Sequence, residues 1–121
     1  MILATTNKLR QVMAVVYLGD IRPAELKQSR EEFKVLLTEL KPGFRLLVNM
    51  TYLDSMGLEC RTEVGRNMDL VSQHGVGRLV YVIPDPTKDI GMNILAFFHY
   101  PNHPQIIHCK NLAEGMEKLL A

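Results

Sequence analysis

The stretch Phe44-Arg45-Leu46-Leu47-Val48-Asn49-Met50-Thr51-Tyr52-Leu53-Asp54-Ser55-Met56-Gly57-Leu58 decides how the chain is read. Its first half, Phe44 to Met50, is a largely apolar run of strand length, of the kind expected in the centre of a sheet covered on both faces. Its second half, Leu53 to Leu58, is a turn that leads into a helix. From Gly57 to His74 the residues Cys60, Val64, Met68 and Val71 recur on one stripe, and Gly75-Val76-Gly77 supplies the stop. Strand, short turn and amphipathic helix are the parts of an α/β domain.

Upstream, Pro23 to Leu40 places Leu26, Phe33, Leu36, Leu37 and Leu40 on one helical face, with Lys27, Arg30, Glu31 and Lys34 elsewhere, and Lys41-Pro42-Gly43 ends it. Before it, Ile2 to Thr5 and Val12 to Leu18 are apolar, partly β-branched runs around the polar Thr6-Asn7-Lys8, which reads as a β-hairpin. Gly19-Asp20-Ile21-Arg22-Pro23 is expected to break the second strand, with Pro23 at the first helical position.

Downstream, Arg78 to Ile83 reads as a strand stopped by Pro84-Asp85-Pro86. Thr87 to His99 reads as a helix carrying Ile90, Ile94, Phe97 and Phe98. After Pro101-Asn102-His103-Pro104 come a short strand, Gln105 to Cys109, and a last helix capped by Asn111 and reaching about Leu120. The order β-β-α-β-α-β-α-β-α predicts a mainly parallel sheet of about five strands, right-handed crossovers, about four covering helices and an antiparallel hairpin at one side.

With 121 residues, 47% hydrophobic and 22% charged, the chain is expected to form one domain, residues 1–121, that needs neither metal nor disulfide. Fourteen basic against 13 acidic residues leave no overall field for nucleic acid or anionic lipid. Cys60 and Cys109 lie far apart without CxxC spacing and read as free intracellular thiols. The first residues lack the pattern of a secretory leader, and no apolar run nears the ~20 residues of a membrane span, so no membrane insertion and a cytoplasmic location are expected.

Chemistry concentrates at Asp54-Ser55. At the start of a helix, free N–H groups and the positive dipole end favour an anion, including a phosphate on the Ser55 hydroxyl. The plainer alternative is that Asp54 or Ser55 merely caps the helix. Gly57 would then let backbone or partner approach closely. His99, His103 and His108 lack metal-ligand spacing, and their neighbours in sequence add only Cys109, so no metal site is expected. No nucleophile-elbow, dinucleotide, Walker or zincin motif is present, which argues against an enzyme. Met50, Met56, Met68, Met92 and Met116 suit an adaptable core or contact surface.

Three features together resemble the STAS domains of anti-sigma-factor antagonists over nearly the whole chain. They are Leu18-Gly19-Asp20-Ile21 closing the hairpin, Asp54-Ser55-x-Gly57-Leu58 like the family's D-S-x-G-L loop, and the tail order of strand, Pro-rich turn, helix, short strand and helix. The resemblance implies a STAS-like (SpoIIAA-like) α/β fold and a non-enzymatic regulatory role without cofactor. It implies binding to an anti-sigma factor or serine-kinase-type protein partner, the ATP belonging to that partner. Phosphorylation at the position of Ser55 would release the partner. The implied partner surface is Asp54, Ser55, Met56, Gly57, Leu58 and Arg61, with Asp20 and Arg22. Met56 stands where Ser or Thr is usual and Arg22 where an acidic residue is frequent. Met56 favours a rival reading, a STAS-like sensor or scaffold that is not phosphorylated and holds a small apolar ligand or self-associates, as in a homodimer.

Overall fold

The computed structural model describes all 121 residues apart from the side chain of Asn93. Its strands are β1 (Ile2–Asn7), β2 (Val12–Ile21), β3 (Arg45–Met56), β4 (Arg78–Val82) and β5 (Gln105–Cys109). Its helices are α1 (Pro23–Leu37), α2 (Arg61–Gln73), α3 (Met92–His99) and α4 (Leu112–Leu120), with 3₁₀ turns at Leu58–Cys60 and Pro86–Lys88. The strands lie side by side in sequence order, β1 antiparallel to β2 and the rest parallel. Hairpin, parallel crossovers and four helices agree with the sequence reading.

β3 owes its place to its residues, since Leu46, Leu47, Val48, Asn49 and Met50 are buried in succession and both faces must be covered. Buried Asn49 stays satisfied because its Oδ1 accepts from the N–H and Oγ1 of Thr51. On one face Leu26, Phe33 and Leu37 of α1, Val64, Met68 and Val71 of α2, and Met92, Ala96 and Tyr100 at α3 pack with Met13, Val15, Leu46 and Val48. Burying each of the larger aliphatic or aromatic side chains contributes about 1.5–3 kcal/mol. The other face has a smaller cluster, Val12, Leu47, Val80, Val82 and Cys109, closed by Leu119 of α4. Asn111 caps α4 as expected, its Oδ1 accepting from the Glu114 N–H at 2.8 Å.

The structure corrects several boundaries. β2 does not break at Gly19 but runs on to Ile21, because Gly19 takes a left-handed φ of +72° at one of two register shifts against β3. β3 likewise continues to Met56 where a turn was expected. α1 ends at Leu37, although Leu40 is still buried beyond it. The segment expected as one helix from Thr87 is divided by Gly91, with φ +93°, and α3 begins at Met92. Asp89 prepares that start by accepting from the Gly91 and Met92 N–H groups. The restart changes the buried stripe to Met92, Ala96 and Tyr100 and leaves Ile94, Phe97 and Phe98 65%, 71% and 71% exposed.

Candidate functional site

The two extended strands bring Asp20 and Ser55 into direct register, with Ile21 beside Met56. The pairing passes from Gly19 opposite Leu53 to Asp20 opposite Ser55, so Asp54 is the extra residue of a bulge and simple alternation is broken: Met56 is in the core, 7% exposed, while Asp54 and Ser55 are both exposed. The Ser55 hydroxyl donates to Asp20 Oδ1 at 2.6 Å. Asp54, next in the chain, adds a second exposed carboxylate. The site is thus a hydroxyl bonded to one carboxylate, with a second exposed carboxylate adjacent in sequence, at the carboxyl ends of β2 and β3.

This overturns both expectations for the helix start. The N-cap of the 3₁₀ turn is Gly57 and that of α2 is Cys60, neither with a side-chain cap bond, so Ser55 and Asp54 cap nothing. Ser55 belongs to a strand, and its partner is an acceptor rather than a ring of free N–H groups. Gly57 has ordinary extended angles, φ −78° and ψ 169°, and the three atoms nearest to an added Cβ all belong to the carboxylate of Glu59, the far end of a flexible side chain. Nothing in the fold therefore requires glycine at Gly57.

The remaining expected residues spread around this centre. Leu58 is 62% exposed, on the turn that leads to α2. Arg61 is engaged elsewhere: its Nε donates to the Ile90 carbonyl at 2.8 Å, joining the start of α2 to the approach to α3. Arg22 caps α1 by its backbone, with its N–H donating to Glu25 Oε1 at 3.3 Å. Lys88 Nζ donates to the Leu53 carbonyl at 2.6 Å and so pins the segment before α3 to β3. The start of α2 and the end of β3 are thereby tied to the segment that precedes α3.

Three arrangements escape a linear reading because their partners lie far apart in sequence. Arg30 of α1 pairs with Glu63 and donates to Asn67 Oδ1 at 2.8 Å, fastening α1 to α2. The bond from Arg30 holds the Glu63 carboxyl below the usual carboxylate range. His99 meets Asp69 at 2.6 Å between α3 and α2, an acidic partner 30 residues away in sequence. Gly65 makes room for that ring, since a Cβ there would lie 2.5 Å from His99 Nε2. Tyr17, Tyr81 and Tyr100, with Asn67 and apolar neighbours, line an interior cavity of about 30 Å³. Burial pushes all three phenols well above their ordinary value. The space admits about two waters, and an organic ligand would need the helices to move.

Cys60 and Cys109 are free and buried, and burial raises both thiols. Met50, Met56, Met68 and Met92 are core residues. Among the described residues no three His, Cys, Asp or Glu side chains gather as metal ligands, and no helix is long and apolar enough to cross a membrane.

No family model and no curated protein matches the chain. Solved structures do. One is an uncharacterized protein of the DUF3478 family with a SpoIIAA-like fold from Shewanella loihica PV-4. It is 12% identical over 98% of this chain and 92% of that one, with a TM-score of 0.69. Another is the anti-sigma factor antagonist SpoIIAA in its unphosphorylated form, 16% identical over 98% and 97%, with a TM-score of 0.62. The chain has a SpoIIAA-like, STAS-type α/β fold.

Proposed function

We propose that this SpoIIAA-like domain is a non-enzymatic regulatory module that binds a protein of the anti-sigma factor or serine-kinase class, and that a phosphate on Ser55 releases it. The observation that carries the reading is the exposed Ser55 hydroxyl held against Asp20 where the strands end. Phosphorylation would remove the donor that satisfies Asp20 and add close to two negative charges beside Asp20 and Asp54. The strand position strengthens the argument: with a carboxylate as the hydroxyl's partner, the added charge meets repulsion. A partner surface that accepts the neutral hydroxyl would have to desolvate that charge, and binding should fall. Exposed Leu58, on the turn that follows Met56, offers apolar contact area beside the switch, and Ile94, Phe97 and Phe98 form a further exposed apolar surface on α3.

The experiment is phosphate incorporation and partner binding by three proteins. Wild type purified from its own host should carry the mass of one phosphoryl group on Ser55, and Ser55→Ala should carry none. By calorimetric titration with the kinase partner, Ser55→Ala should bind like unmodified wild type. Ser55→Asp should bind at least about tenfold more weakly, a loss of ~1.4 kcal/mol. It should also unfold earlier, because the introduced carboxylate would face Asp20, and Asp20→Asn in the same chain should restore stability. Equal binding by all three proteins would sink the switch.

A further inference from the structure

The strand β1 forms one edge of the sheet, and its pairing to β2 is unbroken from Ile2 opposite Tyr17 to Asn7 opposite Val12. Natural sheets guard such an edge with charges, prolines or bulges. Ile-Leu-Ala-Thr-Thr-Asn contains no charged residue and no proline, and no bulge interrupts it.

The hydrogen-bonding parity of β1 follows from its first pair. Met1 and Leu18 exchange both backbone bonds, N to O at 2.8 Å in each direction. In an antiparallel ladder such pairs alternate, so Leu3, Thr5 and Asn7 turn their N–H and C=O groups toward β2. Ile2, Ala4 and Thr6 therefore present theirs outward. These outward groups are symmetric about Ala4: a two-fold axis there would set Ile2 against Thr6 of a second copy and Ala4 against its own counterpart, each pair exchanging both bonds.

The charges along the edge are arranged as that axis requires. Lys8 and Arg10 follow the carboxyl end of the strand, where Glu39 also accepts from the Thr6 hydroxyl. Glu25 and Glu32 of α1, with Gln28 and Ser29, line a groove beside Ile2 at the other end, Glu25 being paired there with the Met1 amine. The first end keeps an excess of basic and the second an excess of acidic groups. Antiparallel pairing brings the basic end of each copy to the acidic end of the other, and an isologous interface needs this complementarity. The apolar side points the same way. Leu3 is 50% exposed on the face opposite α1, next to half-buried Val16, and the cluster that α4 closes takes in Val12 of β2 and residues of β3 to β5 but none of β1. Across the axis, Leu3 of the two copies would lie diagonally on one continuous face.

We propose that β1 pairs antiparallel with β1 of a second copy about a two-fold axis at Ala4, joining the two sheets into one. The proposal is independent of the role of Ser55.

Sedimentation velocity of the whole chain over a concentration series, with hydrogen exchange of the same samples, tests it. A monomer–dimer equilibrium is expected. In the dimer, the Ile2, Ala4 and Thr6 amides should exchange at least about tenfold more slowly than in the monomer, while Leu3, Thr5 and Asn7 keep the same rates. Ala4→Pro removes an outward donor and no bond to β2, so it should give a folded monomer. Lys8→Glu should weaken the dimer, and Lys8→Glu with Glu32→Lys should restore it without any proline. A wild type monomeric at every concentration overturns the proposal. So does a dimer in which Ile2, Ala4 and Thr6 exchange as in the monomer. A dimer that survives Ala4→Pro but is lost in Phe98→Glu would place the interface on α3 instead.

Discussion

Ser55 and Asp20 stand 35 residues apart in sequence, yet as cross-strand partners they make a single unit in which a change to one alters the other. The same is true of Arg30 and Glu63, both largely shielded between α1 and α2. Because this bond lowers the folded-state value of the Glu63 carboxyl below its ordinary 4.5, its stabilisation is present above that value and is lost as pH falls through the lower, folded one. Wild type should therefore be more stable than Glu63→Gln at neutral pH, with a gap in thermal midpoint that narrows below about pH 4.5. Glu25, also held low, by its bond to the Met1 amine, is common to both proteins and cancels from the difference. A gap that stays constant down to acid unfolding would show that Glu63 acts through packing and not through charge.

At the scale of elements, α4 covers its side of the sheet by coming close to it. Gly115 is the point of nearest approach, for a Cβ there would lie 2.6 Å from Val82 Cγ2. Glycine within a helix ordinarily costs about 1 kcal/mol relative to alanine. Here the clash should outweigh that gain, and Gly115→Ala should lower stability in urea by roughly 1–3 kcal/mol. A variant more stable than wild type would show that α4 can lift without loss. α3 makes the complementary point. Its apolar residues outnumber the places in the core, and the left-handed Gly91 sets which of them turn inward.

For the whole molecule, the sheet divides the interior into two clusters, with three helices over one face and α4 over the other. Cys60 belongs to the first cluster and Cys109 to the second, so the strands stand between the thiols. Reductant should leave the thermal midpoint unchanged, and a fall of several degrees would reveal a bridge between chains. Exposed Leu3 beside an unguarded edge is likewise a property of the assembled sheet, invisible in any one strand.

The order of strands and helices was legible in the sequence because each apolar run carries its own period and its own stop. The burial of Leu46 to Met50, the stripe Cys60, Val64, Met68 and Val71, and the Asn111 cap are all local consequences of local residues. The D-S-x-G-L stretch likewise marks Ser55 in the sequence alone. Only the tertiary structure decided what Ser55 touches, since extending β2 and β3 depends on pairing between segments remote in sequence, and pairing turned an expected helix start into strand. It also decided that Ile94, Phe97 and Phe98 face outward. Helical spacing marks a stripe, but which stripe meets the sheet depends on where the preceding loop is tied, here by Lys88 to Leu53 and by Asp89 to the start of α3.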